Sequence, residues 1–239
     1  MSQRFFVETP IAGDRAQLIG PEAHHLAKVM RAQVGDSVQL FDGSGVEFTA
    51  RIERLKKDTA ELTIIQRRAI DRELPFVLTM AVALPKGERQ KWLLEKLVEL
   101  GVARLVPLVT ERGVAQPVES AIERLGRGVV EASKQCGRNR LLEVCQPLAA
   151  GQCFQIAPPS AQRWIADPGG EPLPNSALAT SPAAELYFAV GPEGGFTADE
   201  VAAAHAAGWH GVSLGPRILR IETAAIALAS WASIQRGRE

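Results

Sequence analysis

The 239 residues are 46% apolar and 23% charged, the make-up of a globular protein with enough chain for one large core or two smaller ones, which excludes a disordered or fibrous polymer. The longest apolar runs, 76–85 and 223–234, fall short of the ~20 residues that span a bilayer, and the start MSQRFFVETP lacks the basic-then-apolar order of a secretory leader, so a cytoplasmic protein with no membrane helix is expected. Formal net charge is zero but unevenly spread: residues 76–140 hold 11 basic and 7 acidic side chains, and residues 141–239 hold 5 and 9, and local charge is what meets phosphate.

The first seventy residues read as strands, RFFVET (4–9), SVQLFDG (37–43), VEFTARIERL (46–55) and TAELTIIQ (59–66), separated by turn residues. One helix, PEAHHLAKVMRA after Gly20, interrupts them, with Leu26, Val29 and Met30 on one face. This predicts a small β-barrel carrying one helix. Asp71-Arg72-Glu73-Leu74-Pro75 is charged and ends in a proline, so the expected domains are 1–72 and 73–239.

From Phe76 apolar strands alternate with helices, the pattern of a covered, mostly parallel α/β sheet. FVLTMAVAL (76–84) is followed by a helix over 88–101, in which Leu93, Leu97 and Leu100 share one face and Gly101 is the stop. The strand RLVPLV (104–109), a helix over 118–136, and the strands RWIAD (163–167) and LYFAV (186–190) continue the alternation. The proline-rich segment 168–183 reads as an irregular loop. Cys136, Cys145 and Cys153 are odd in number and form no CxxC pair, so free thiols and no metal site are expected.

GPEGGF (191–196) comes directly after LYFAV, and Thr197 to Glu200 has the form of a capping box opening the next helix. Strand, glycine loop, helix is the order in which α/β sheets hold ligands. By itself a glycine pair is more often a plain structural turn. No GxxxxGK[ST] occurs, and Gly126-Arg127-Gly128 lacks the third glycine of a dinucleotide fingerprint, which disfavours an NTPase or an NAD enzyme. A second loop, Gly215 to Arg220, follows VSL (212–214), and the two loops are expected at adjacent strand ends, walling one pocket. Arg217 and Arg220 precede a helix whose N-terminal dipole disfavours cations, which points to a task other than helix stability, whereas Glu222 is explained by that dipole.

GPEGGF and LGPRILRIETA (214–224), with residues 86–112 (KGERQKWLLEKLVELGVARLVPLVTER), EASKQCGRNR (131–140), MRAQVGD (30–36) and LFDG (40–43), make the chain resemble the ribosomal RNA small-subunit methyltransferase E family of the SPOUT superfamily. The likeness covers nearly the whole chain. It departs at Cys136, where members commonly carry serine or threonine, and segment 147–183 holds no family element.

The resemblance implies a PUA-like N-terminal RNA-binding domain, a C-terminal domain with a deep trefoil knot, a homodimer, and S-adenosylmethionine bound by Gly191, Gly194, Gly195, Leu214, Gly215, Ile218 and Leu219. It also implies methylation of N3 of a uridine in 16S rRNA of the small ribosomal subunit. A sulfonium methyl already has a good leaving group, so alignment and exclusion of water are the main demands. Uridine N3 must lose a proton, and an arginine can stabilise the resulting charge. Arg220 is the candidate for that role and Glu193 a candidate base, although ordering of its loop is the stronger reading of Glu193. Arg4, Arg31, Lys86, Arg89, Lys134 and Arg138 are the expected RNA-docking cations, acting collectively, with affinity falling steeply in salt. The small residues of the last helix, from Glu222 to Gly237, suit either a dimer interface or an ordinary buried helix. A non-catalytic RNA-binding protein and an α/β enzyme for another adenosine ligand are the alternatives left open.

Overall fold

The computed structural model describes residues 4–114, 119–174 and 185–235. Two compact units emerge, Met1–Glu73 together with Val130–Leu141, and Leu74–Val129 together with Leu142–Glu239.

The first unit contains β1 (Arg4–Phe6), β2 (Arg15–Ile19), α1 (Gly20–His24), β3 (Ser37–Phe41), β4 (Val46–Leu55) and β5 (Thr59–Ala69). The strand order is β1-β3-β4-β5-β2, antiparallel except where β1 lies parallel to β3. Along β4, Phe48, Ala50 and Ile52 are buried while Arg51 and Glu53 are exposed, the two-residue period of a half-buried strand. Register shifts at Thr49/Ala50 and Ile52/Arg54 add local twist and curl the sheet around its core. After α1 the chain continues in a π-helical turn over His25–Val29. Its wider winding breaks the 3.6-residue period, so Leu26 is buried but Val29, expected on the same face, is exposed.

The second unit holds β6 (Val77–Val82), α2 (Glu88–Glu99), β7 (Arg104–Val109), α3 (Glu119–Cys136, its last turns belonging to the first unit), β8 (Glu143–Val144), β9 (Leu148–Ala149) and α4 (Ala150–Ile156). It continues with β10 (Gln162–Pro172), β11 (Glu185–Val190), α5 (Ala198–Ala206), β12 (His210–Ser213) and α6 (Ile221–Gln235). Its sheet runs β12-β10-β11-β6-β7-β8, with β9 also on β7, and every pairing is parallel. Val77 to Val82 and Leu186 to Val190 are almost uniformly buried because helices cover the sheet. Leu93, Leu94, Leu97 and Val98 form the buried stripe of α2. Phe154, Tyr187, Phe196 and Trp209 pack in one cluster, where the Trp209 indole N–H donates to the Phe154 carbonyl at 3.0 Å. Cys136, Cys145 and Cys153 are free thiols, and burial pushes the Cys153 thiol up to about 12.

Two expectations are corrected in this unit. Residues 168–172, read as loop, are strand: β10 leaves its ladder with β12 after Ala166 and rejoins it at Glu171. Residues 175–183 of that segment lie outside the described residues. The two glycine loops follow β11 and β12, which are not neighbours, because β10 pairs with both. Succession in sequence hid the crossover.

Residues 130–141 join the first unit through buried cations. Arg4 donates to Glu47, to the Arg138 carbonyl and to the Asn139 side chain, the last two at 2.9 Å. Lys134 donates to Glu22 at 2.8 Å and Glu131 at 3.1 Å, and Arg138 pairs with Glu73. Burial lowers the proton affinity of Lys134, but the bonds and charges of Glu22 and Glu131 outweigh it and the net shift is upward. Arg4, Lys134 and Arg138 are all buried, so the expectation that they present charge to RNA is corrected: their charges are neutralised inside the unit. Replacing one member of a buried ion pair strands the other, at a cost of about 3 kcal/mol. Arg138→Ala is therefore expected to lower the unfolding free energy by about 3 kcal/mol in urea titration, with Glu73 left uncompensated.

Candidate functional site

The loops that follow β11 and β12, with the interrupted middle of β10, border a cavity of about 340 Å³. The glycine loop supplies Gly191 to Gly195, the second loop Leu214 to Leu219, and β10 contributes Ala166, Asp167 and Pro168. Ile221 and Ala224 of α6 close the wall. Its volume falls within the roughly 300–1,000 Å³ usual for small-molecule sites.

Local chemistry explains why these segments hold still. The Gly195 N–H donates to the Pro192 carbonyl at 2.8 Å, closing a turn that puts Gly195 at φ +68°, where a Cβ is disfavoured. At Gly191 a Cβ would lie 3.0 Å from the Phe196 ring. Arg112 donates to the Gly194 carbonyl at 2.8 Å, and the Glu111 N–H to Glu200 at 3.0 Å, so the residues after β7 brace the loop from outside. The capping box expected at α5 is present: Glu200 N–H donates to the Thr197 hydroxyl at 3.2 Å, and Thr197 N–H to the Glu200 carboxylate at 2.8 Å. In the second loop Gly215 takes φ +101°.

The seven residues expected to hold a cofactor, Gly191, Gly194, Gly195, Leu214, Gly215, Ile218 and Leu219, all line this one cavity. Glu193 lines it too and ion-pairs with Arg89 at 3.3 Å. Arg220 is exposed and is not part of the wall, although Leu219 and Ile221 on either side of it are. Arg217, singled out in the second loop, lines the wall, whereas sequence reasoning missed Asp167. For Asp167 the available signal was its place at the end of the strand RWIAD, where side chains of such sheets meet ligands. Its carboxylate accepts the Gly169 N–H at 3.0 Å.

The expected RNA-docking cations fare differently. Lys86 is exposed and lines a smaller cavity of about 270 Å³ with Gly113, Val114, Pro192 and Glu193. Arg31 is exposed in the first unit with φ +53°, uncommon outside glycine. Arg89 is engaged by Glu193 and by Glu222, the latter at 3.6 Å. Among the described residues no group of three His, Cys, Asp or Glu side chains is placed to hold a metal ion.

The parallel sheet with a cavity among its loops, together with the curled sheet of the first unit, defines an α/β protein with a small-molecule site in its second unit. The family described as the RNA methyltransferase domain matches residues 72–233, and the RNA methyltransferase PUA domain matches residues 18–65. A curated relative, ribosomal RNA small subunit methyltransferase E of Synechocystis, is 36% identical over 227 residues, covering 93% of this chain and 73% of the relative. Among solved structures, a Legionella pneumophila methyltransferase in complex with SAM is 32% identical with a TM-score of 0.88, covering 97% of each chain. Ribosomal RNA small subunit methyltransferase E from Neisseria gonorrhoeae, bound to S-adenosyl methionine, is 31% identical with a TM-score of 0.86 over 96% of each chain. This chain belongs to the ribosomal RNA small subunit methyltransferase E family.

A methyl group at position 191 has to displace the Phe196 ring, which is part of the core. Gly191→Ala is expected to destabilise the protein by about 2 kcal/mol through overpacking, read as a lowered Tm, whereas Gly126→Ala, with open space around its Cβ on α3, leaves Tm unchanged or raised.

Proposed function

We propose that this protein transfers the methyl group of S-adenosylmethionine to N3 of a uridine in 16S rRNA, working as a homodimer on the small ribosomal subunit. The observation that carries the reading is the convergence of all seven expected cofactor residues on one cavity. The relatives named for rRNA methylation and the related structures solved with SAM support it.

The residues fit that cofactor. The wall carries two carboxylates, Asp167 and Glu193, against one guanidinium, Arg217. This excess of negative charge suits a cationic ligand and opposes a polyphosphate. Glycines at 191, 194, 195 and 215 let backbone groups approach an adenine ring closely. When bound, the cofactor supplies an electrophilic methyl carbon on a sulfonium centre. The loops orient that carbon and exclude water. To Arg220, exposed between the wall residues Leu219 and Ile221, we assign the stabilisation of the negative charge that spreads over the uracil carbonyls once the N3 proton leaves. Glu193 is the carboxylate nearest to both cavities, and its ion pair with Arg89 orders it.

Lys86 and Arg31 are the exposed members of the expected RNA-docking set. The trefoil knot belongs to the same proposal: α6 follows β12 at the sheet edge yet packs on β6 and β11 near its centre, the return path that such a knot requires. Exposed Ile218 and Ile234 give apolar surface for a second copy.

S-adenosylmethionine at a hundred times its Kd is expected to add about 2.7 kcal/mol of stability, seen as a raised Tm, with no shift from NAD or ATP. No shift from S-adenosylmethionine would favour a purely RNA-binding protein. Arg220→Ala is expected to lower turnover at least 100-fold while leaving the cofactor Kd within about threefold; unchanged turnover would remove Arg220 from the chemistry. Base mapping of 16S rRNA from cells with and without the protein identifies the modified atom, and light scattering checks for twice the 25.7 kDa chain mass.

A further inference from the structure

We propose that Arg89 is a positioning residue that sets the gap between the glycine loop and the start of α6 by gripping Glu193 on one side and Glu222 on the other. The inference rests on the reading of that cavity as the cofactor site. Arg89 lies in the first turn of α2, where the helix dipole disfavours a cation, so the helix itself does not account for it. Its Nη2 lies 3.3 Å from Glu193 Oε1 and its Nη1 lies 3.6 Å from Glu222 Oε2. The planar fork of a guanidinium can serve two carboxylates through different nitrogens, which the single ammonium of a lysine does poorly.

Each carboxylate belongs to a different wall. Glu193 is in the middle of the glycine loop, with Pro192 and Gly194 lining the cavity on either side. Glu222 sits in the first turn of α6, between Ile221 and Ala224, which line the opposite side. Glu222 is 5% exposed and its Oε2 accepts no hydrogen bond. The α6 dipole favours its charge but leaves that oxygen without a donor, so Arg89 is the cation on which this buried carboxylate depends. Take the guanidinium away and the carboxylate must reach water. The start of α6 then shifts, carrying Ile221 and Ala224 with it, and the cavity changes shape. The Glu193 arm is solvent-exposed and therefore weak. The Glu222 arm is the anchor, and the Glu193 arm sets where the glycine loop rests against it.

The test is calorimetric titration with S-adenosylmethionine at 25 °C, with thermal unfolding of each ligand-free protein, for wild type, Arg89→Gln, Arg89→Lys and the double variant Arg89→Gln/Glu222→Gln. Arg89→Gln is expected to bind at least tenfold more weakly than wild type, although it remains folded at the titration temperature. Arg89→Lys should recover only part of the loss. Adding Glu222→Gln to Arg89→Gln should restore affinity, because the stranded charge is gone; a residue that merely stabilised α2 would show no such rescue. Affinity of Arg89→Gln within twofold of wild type, or no rescue in the double variant, overturns the proposal. If Arg89→Gln does not fold, Arg89→Lys with wild-type affinity overturns it equally. Absence of binding to the wild type would instead overturn the reading of the cavity, and with it the role given to Arg89.

Discussion

The cavity exists because β10 parts from β12 and comes back to it. Between Ala166 and Glu171 the ladder is interrupted, and the bulged residues open the space beside Val212 and Leu214. The return is possible only without side chains, since a Cβ on Gly170 would lie 2.4 Å from the Gly211 carbonyl carbon. That close backbone approach holds β10 to the edge strand beyond the bulge, and thereby holds the second loop over the first. β10 is bound to β11 on its other side, so one strand fixes the spacing of the two strands from which the loops leave. The rigidity a ligand site needs thus comes from ladder hydrogen bonds, with the loops contributing shape.

Charge does two different jobs in this molecule. In the first unit, Arg4, Lys134 and Arg138 are buried against Glu47, Glu22 and Glu73, where removing one partner strands the other. Around the cavity, charge is half exposed and faces open space, as at Asp167, Glu193 and Arg217. The basic bias of residues 76–140 is partly an account of the first kind: two of its cations, Lys134 and Arg138, are directed inward to acidic residues from the N-terminal stretch. A residue count along a segment does not distinguish the two, because Glu22 and Glu73 lie more than sixty positions away.

The family to which the chain belongs and the cavity beside its glycine loop bear on the same residues. The glycine turn braced by Arg112, the start of α6 and the carboxylates of Asp167 and Glu193 border one cavity, and a second cavity lined by Lys86 lies beside it. The two cavities share Pro192 and Glu193, so the loop that shapes the first also borders the second.

Sequence by itself determined four of the five strands of the N-terminal sheet, β2 being the one it did not mark, the alternation of buried strands and helices after Phe76, the capping box at Thr197, and both glycine loops, because each is written in neighbouring residues. It also carried the family, through motifs spread over nearly the whole chain. Only the tertiary structure decided which strands lie side by side. The placing of β10 between β11 and β12, the extension of β10 through Pro172 and the recruitment of residues 130–141 to the first unit depend on partners far along the chain. The same holds for single residues. Arg4, Arg89 and Arg138 look alike as letters, and what separates a buried structural cation from a bridge between the glycine loop and α6 is the set of carboxylates that folding brings within 4 Å.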